Sequence, residues 1–264
     1  MTKPACETAL LTKRRNLKNG YYSYTFGPFR AAGKCRPGHF LHIKLPCSDV
    51  FFRRAFSVAS ANPEKQELEV IFKIFGRGTR HMSQMRPGDP IDILGPLGNP
   101  FKLPRKTETA VMVAGGVGVP PLLYMAEQMV AKGYDPKRIR FFYGGRSKED
   151  VIERTRIKRL GVHFHPITED GSLGEKGLVT GPVATFIKDN PGCKPRLFAC
   201  GPEGMLKATN DLGLRLKVAG QVSLEAPMPC GFGVCLGCIV TLTSGGHARV
   251  CREGPVFEIG EVAL

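Results

Sequence analysis

Four thiols near the C-terminus of this 264-residue chain are the side chains whose spacing speaks most directly of chemistry. Cys230, Cys235 and Cys238 follow the pattern C-x4-C-x2-C, and Cys251 supplies a fourth thiol further along. That is the plant-type spacing of a [2Fe–2S] ligand set. The loop must wrap an inorganic core, turning three thiolates inward while backbone N–H groups approach the bridging sulfides. Gly231, Gly233 and Gly237 allow that close backbone approach. Four cysteines also satisfy a structural zinc ion, although such sites usually come as two short C-x2-4-C knuckles rather than one long loop. A disulfide framework fits poorly, because the nine cysteines are odd in number and unevenly placed. Cys6, Cys35, Cys47, Cys193 and Cys200 stand isolated and read as small buried hydrophobes.

The elements that must position this loop can be read on either side of it. Ile239-Val-Thr-Leu-Thr alternates as a strand, Ser244-Gly-Gly makes a turn, and Ala248-Arg-Val returns toward Cys251. Residues 8–103 read as short strands punctuated by Gly and Pro, among them Tyr21–Phe26, Phe40–Leu45, Ala55–Ala59, Leu68–Ile74 and Pro90–Leu94. Frequent strands with such punctuation suggest an antiparallel barrel. From Glu108 the pattern changes. Ala110–Ala114 is a continuous apolar run, as a buried parallel strand requires. Gly115-Gly-Val-Gly-Val-Pro-Pro follows, then a predicted helix over Leu122–Lys132. Arg138–Gly145 and Arg196–Pro202 are further strand-and-turn units, the second leading into a predicted helix over Glu203–Lys217. Strands alternating with helices imply a parallel sheet with a nucleotide at the strand C-terminal ends. Gly115, Gly116 and Gly118 could let phosphates approach a helix start, but small residues there also serve helix–strand packing.

Composition narrows the class. Hydrophobic residues make up 42% and charged residues 23%, which is ordinary for a globular enzyme. Met1-Thr-Lys-Pro is not followed by the apolar core of a signal peptide. The uncharged run Thr109–Ala126 is interrupted by Gly115, Gly116, Gly118, Pro120 and Pro121, so no membrane span is expected and a cytoplasmic location is. Net charge is +15. From Gln221 onward two Arg face four Glu, a local −2, so residues 1–220 carry +17. The basic residues are scattered and no aromatic RNA-binding motif accompanies them. Anionic cofactors or an acidic protein partner fit this charge as well as nucleic acid does.

Four motifs in order make the reading specific. Arg54-Ala55-Phe56-Ser57 resembles the R-x-[YF]-S flavin motif of the ferredoxin reductase superfamily, and Gly76-Arg-Gly78-Thr79, Gly115–Pro121 and Cys200-Gly201-Pro202 follow as they do there. With Leu224-Glu-Ala-Pro-Met-Pro-Cys230 and Cys251-Arg-Glu-Gly-Pro-Val-Phe, the chain resembles the electron-transfer subunits of two-subunit, NAD-linked dihydroorotate dehydrogenase over nearly its whole length.

The resemblance implies an N-terminal antiparallel β-barrel flavin domain over residues 1–104, a Rossmann-like nucleotide domain over 105–220 and a small [2Fe–2S] domain over 221–264. It implies that Arg54 neutralises an FAD phosphate, with Ala55 and Phe56 beside it and Ser57 bonded near the isoalloxazine. Ile71, Phe72 and Lys73 would run along the flavin, and Gly78 and Thr79 would meet the pyrophosphate. Gly115, Gly116, Gly118, Cys200, Gly201 and Pro202 would bind NAD. Plainer roles stand beside these: a surface charge for Arg54, a core aromatic for Phe56, a strand hydroxyl for Ser57, strand core for Ile71 and Phe72, a helix cap for Thr79. The sequence departs from the family at His39, where Gln is common, and at Pro120, where a small residue is. No C-terminal aromatic is available to stack on the flavin. Arg146 and Ser147 could accept a 2′-phosphate, so NADP stays open beside NAD.

Electrons would pass singly from the FMN of a catalytic partner to the cluster, and FAD would collect two for hydride transfer to NAD+. A heterotetramer of two of each subunit is the expected assembly. No general base is assigned, and Glu225, close to the thiol loop, is only a weak candidate. The rival readings are a reductase subunit of another NAD(P)H-linked complex, ferredoxin:NADP or sulfide-linked, and a nonredox zinc module with a basic surface.

Overall fold

The computed structural model describes residues 4–45 and 50–264. Six strands close an antiparallel barrel: β1 (Ala5–Lys18), β2 (Tyr21–Gly27), β3 (Phe40–Lys44), β4 (Arg54–Asn62), β5 (Glu67–Lys73) and β6 (Pro90–Leu97), joined in the order β1-β2-β5-β4-β3-β6. The long β1 closes it by serving two partners. Its first half pairs with β6 and its second with β2, and a register shift between Leu11 and Lys13 bends the strand between the two. Side chains alternate across each strand. In β3, Leu41 and Ile43 enter the barrel core with Tyr24, Val58 and Val70, whereas Phe40 joins a different core outside it. The short helix α1 (Arg77–Met82) follows β5.

The second half is a seven-stranded sheet. Its strands are β7 (Thr109–Gly115), β8 (Ile139–Gly145), β9 (His163–Thr168), β10 (Glu175–Lys176), β11 (Pro195–Cys200), β12 (Gly220–Ser223) and, after an excursion, β15 (Val256–Glu258). The order is β10-β9-β8-β7-β11-β12-β15, parallel except for the β12–β15 pair. β7 is buried along its whole length because both faces are covered. Ala110, Met112 and Ala114 pack under helix α2 (Val119–Ala131), and Val111 and Val113 pack on the face that holds α4 (Thr180–Asp189) and α5 (Glu203–Leu216). A shorter helix, α3 (Arg154–Arg159), links β8 to β9.

Helix α2 starts three residues before the expected Leu122. Pro120 and Pro121 lie inside its first turn. A first-turn residue needs no N–H for the helix ladder, so the two prolines start the helix they seemed to interrupt.

The thiol loop leaves β12, and the hairpin β13 (Ile239–Thr241) and β14 (His247–Arg249) carries the chain back to Cys251. β15 then adds antiparallel to β12, so the C-terminal segment shares a sheet with the nucleotide half, and the junction expected at 220/221 falls within β12. The isolated cysteines are not uniformly buried. Cys35 and Cys200 are, but Cys6 is exposed beside Asp92 and Arg53, and Cys193 is half-buried in a turn. Both sit at element ends where no apolar layer covers them. Cys47 lies outside the described residues. No helix among the described residues is long and apolar enough to cross a membrane.

Barrel and sheet are joined by buried charge. Arg156 of α3 pairs with Glu69 of β5 at 2.7 Å and with Glu127 of α2. Burial alone would push the Glu69 carboxyl up. The Arg156 cation and hydrogen bonds from Ser23, Arg15 and Arg156 outweigh that and hold it below its ordinary range.

Candidate functional site

A cleft of about 1450 Å³ runs between the barrel, the C-terminal ends of the parallel strands and the segment Leu224–Pro229. It exceeds the roughly 300–1,000 Å³ of a pocket for one small molecule. The space accommodates more than one ligand.

The barrel wall is formed by Arg54, Ala55, Phe56 and Ser57 of β4 and by Ile71, Phe72 and Lys73 of β5. Arg54 donates to the Phe52 carbonyl at 2.8 Å and has no carboxylate partner among the described residues, so its cation is free for an anionic ligand. Ser57 lines the cleft, and its hydroxyl has no hydrogen-bond partner among the described residues. Phe56 and Phe72 are mostly buried against one another in the barrel core, edge to face, and only rim the cleft. Gly78 and Thr79 do not line it. A Cβ on Gly78 would collide with Leu45, and the Thr79 hydroxyl accepts from Phe75 N–H at 2.9 Å within its own turn. His39 is buried, and its Nδ1 accepts the Arg36 N–H at 3.1 Å. Burial, with Arg36 adding to it, pushes this imidazole down to about 4.

The opposite wall contains Gly115, Gly116, Gly118 and Cys200-Gly201-Pro202. These glycines do different things. A Cβ on Gly118 would lie 2.5 Å from the Cys200 carbonyl oxygen, so the β7 and β11 loops touch only because a side chain is missing. Gly116 adopts φ +49, with only the Tyr21 hydroxyl 4.0 Å from where a Cβ would lie, and its carbonyl is pinned by the Tyr143 hydroxyl at 2.8 Å. Packing requires the first, and backbone conformation the second. Burial pushes the Cys200 thiol well above its ordinary value, with the Glu225 carboxylate adding to it.

Asp150 and Glu169, which sequence reasoning passed over, complete the walls together with Glu225 and Arg146. Asp150, after β8, accepts from Lys73 Nζ at 2.9 Å and from the Tyr21 hydroxyl at 2.8 Å, tying sheet to barrel across the cleft. Burial would raise the Asp150 carboxyl, but those two hydrogen bonds hold it below its ordinary range. Nothing in the local sequence marks this contact, because its members come from three distant segments. Glu225 lines the cleft with an exposed side chain, and partial desolvation among the neighbouring atoms pushes its carboxyl up. Arg146 and Glu169 line the far end without ion-pair partners among the described residues, and Ser147 is turned to Glu149 at 2.7 Å.

Beyond Pro229 the cleft meets the thiol loop. The four thiols fall into two pairs. Cys238 and Cys251 lie 3.3 Å apart, and Cys230 and Cys235 are near enough for Cys235 to lower the Cys230 thiol. Among the described residues no three His, Cys, Asp or Glu side chains converge on one metal position. Two thiolate pairs suit a two-iron core, which takes two from the protein on each iron. Burial would raise the Cys230 thiol, yet the backbone N–H groups of Cys235, Phe232 and Val234 aim at it and bring it down to about 6. The loop therefore favours a thiolate there. Cys251 is pushed up to about 12 by burial and by its neighbour Cys238. Four thiolate donors fit a thiophilic iron core, with which they form a cluster rich in sulfur acceptors.

Comparison with known proteins agrees with this geometry. Residues 225–263 match the iron-sulfur cluster binding domain of dihydroorotate dehydrogenase B, residues 112–211 the oxidoreductase NAD-binding domain, and residues 11–101 the oxidoreductase FAD-binding domain. The dihydroorotate dehydrogenase B (NAD(+)) electron transfer subunit of Shouchella clausii is 37% identical over 87% of either chain. That of Caldanaerobacter subterraneus is 35% identical over 96% of this chain and 97% of its own. Among solved structures, a chain of an NADH-dependent reduced ferredoxin-NADP oxidoreductase superposes with a TM-score of 0.84 at 27% identity, covering 97% of this chain and 89% of that one. A ferredoxin reductase of carbazole 1,9a-dioxygenase, at TM-score 0.69 and 21% identity over 82% of this chain and 67% of its own, shares the fold.

Proposed function

The chain belongs to the electron transfer subunits of dihydroorotate dehydrogenase B, and on that premise we propose that it takes electrons from a dihydroorotate-oxidising partner and delivers them to NAD+, in pyrimidine biosynthesis. The observation that carries this reading is the single cleft. The flavin-type strand starts, the glycine loops of the sheet and the approach to Cys230 all open onto it. When bound, FAD supplies the exchange between single electrons and a hydride, and a [2Fe–2S] cluster supplies single-electron steps.

The chain's own residues divide the remaining tasks. Arg54 neutralises a flavin phosphate, and Ala55, Phe56 and Ser57 hold the ring system from β4 while Ile71, Phe72 and Lys73 flank it from β5. Gly78 and Thr79 do not line the cleft themselves; the turn that holds them follows Phe75, which does, so they support the pyrophosphate side from behind that residue. Gly115, Gly116, Gly118 and Cys200-Gly201-Pro202 shape the nicotinamide side, and the uncommitted Glu169 carboxylate favours a ribose diol over a 2′-phosphate there. Cys230, Cys235, Cys238 and Cys251 hold the cluster as two pairs. The division of labour follows segments 1–104, 105–220 and 221–264. No side chain of the cleft is assigned as a base for dihydroorotate, so the partner carries its own FMN and base. The assembly is a cytoplasmic heterotetramer of two of each subunit.

The test is to purify the chain, identify its heat-released flavin and measure NADH-driven reduction of an artificial acceptor. Dihydroorotate is then assayed with and without the partner. FAD, NADH oxidation by the chain alone and dihydroorotate oxidation only with the partner are expected. Dihydroorotate oxidation by the isolated chain, or FMN as its only flavin, would overturn the assignment. Failure to couple with the partner would favour a ferredoxin-linked reductase, the reading that the TM-score of 0.84 keeps in view.

A further inference from the structure

His42 is fully buried on β3, and neither Nδ1 nor Nε2 has a hydrogen-bond partner among the described residues. Buried polar atoms without partners are rare, and each one asks for an explanation. The position is informative. Leu41 and Ile43 point into the barrel, so His42 points outward, on the face that carries Phe40. Its ring stands 6.2 Å from the Phe40 ring, and across the ladder it pairs with Ala55. Phe40 and Ala55 both line the cleft. On its other side the imidazole lies against the thiol loop. A Cβ on Gly231 would come within 2.7 Å of His42 Nδ1 and 2.9 Å of Cε1. Gly231, at φ +78, is the residue after Cys230. His42 thus fills the wall between the flavin cleft and the first thiol of the loop.

The charge around it decides its form. Burial holds the imidazole below its ordinary range; the nearby Met228 backbone carbonyl opposes this as an acceptor, although it does not meet hydrogen-bond geometry with either ring nitrogen, and the cations of Arg53 and Arg54 add smaller downward effects. A neutral imidazole keeps one N–H at all times. An aliphatic side chain would fill this site without leaving a donor orphaned, so the donor asks for an acceptor. The cluster that this loop would form with its four thiolates is anionic overall and rich in sulfur acceptors.

We propose that His42 is a positioning residue of the iron–sulfur centre, donating a ring N–H to a sulfur on the Cys230 side of the loop and favouring the reduced cluster. This rests on the family reading above. Hydrogen bonds to cluster sulfurs stabilise the more negative, reduced form and so raise the reduction potential.

The test uses the full cofactor-loaded chain labelled with 15N-histidine, reduced and examined by pulsed electron paramagnetic resonance, alongside a redox titration of the cluster signal. A histidine 15N coupling is expected in the wild type. His42→Leu should lose it and shift the midpoint potential downward, and His42→Gln should lose the label coupling but recover part of the potential through its amide N–H. A packing role alone would move neither spectrum nor potential in this pattern. Should His42→Leu fail to take up iron, the wild-type coupling and its loss in His42→Gln decide. A reduced cluster without histidine coupling, or an unchanged potential in His42→Leu, overturns the proposal. A purified wild-type chain with neither iron nor cluster absorbance would instead sink the family reading.

Discussion

Replacing Arg156 by Met should loosen the barrel from the nucleotide sheet. Arg156 reaches Glu69 at 2.7 Å and Glu127 through a second contact at 2.9 Å, with side-chain exposures of 22%, 12% and 25%. All three groups are less than a third exposed, so solvent screens them only partly. Removing one partner of a buried pair costs about 3–5 kcal/mol, because the charge left behind is uncompensated. Here Arg15 still holds Glu69 at 2.9 Å, which lowers the expectation to about 2–3 kcal/mol. At about 2–4 °C per kcal/mol for a chain of this size, the melting midpoint should fall by about 4–12 °C. The assay is thermal release of flavin fluorescence at neutral pH, with Glu69→Gln and the double variant completing a cycle. The pH dependence has a definite sign. The native pKa of Glu69 lies below its ordinary 4.5, so its contribution is fully present above 4.5 and is lost as pH falls through the native value. The gap between wild type and Arg156→Met should therefore narrow below pH 4.5. A loss under about 0.5 kcal/mol, the level of ordinary surface substitutions, or strict additivity with Glu69→Gln would refute the argument.

Arg54→Ala should weaken FAD retention by about 10- to 100-fold, the scale of a lost charge-assisted hydrogen bond. Equilibrium dialysis against free flavin reads it, and unchanged retention would return Arg54 to a surface charge. Cys235→Ser should remove or destabilise the [2Fe–2S] signal with the flavin still bound, whereas Cys200→Ser should leave iron content unchanged. Loss of iron in Cys200→Ser but not in Cys251→Ser would replace the ligand set. Gly118→Ala should raise KM for NADH more than it affects flavin content. Its new methyl meets backbone atoms of Cys200 and Gly201, which have no flexible side chain to yield. An unaltered KM would show that the two loops need not touch.

What could be read along the chain was what depends on neighbours in sequence. The spacing of Cys230, Cys235 and Cys238, with Cys251 beyond, pointed to a ligand loop because a short loop has few ways to surround a small core. The unbroken run in β7 encodes burial on both faces, since any polar residue there would meet an apolar layer. Pro120 and Pro121 were legible but two-valued: the same missing N–H that breaks a helix interior suits a first turn, and only the position of Val119 relative to β7 settles which applies. The rest depended on residues far apart in sequence. His42 looks like any alternating strand position until the thiol loop, nearly two hundred residues later, folds Gly231 onto its ring. Asp150 becomes part of the cleft through Lys73 and Tyr21, and β15 returns to β12 after the whole thiol segment. Local sequence carries propensity and spacing. Which distant side chains share a desolvated space, and whether a donor there finds an acceptor, is set only when the barrel closes and the sheet docks on it.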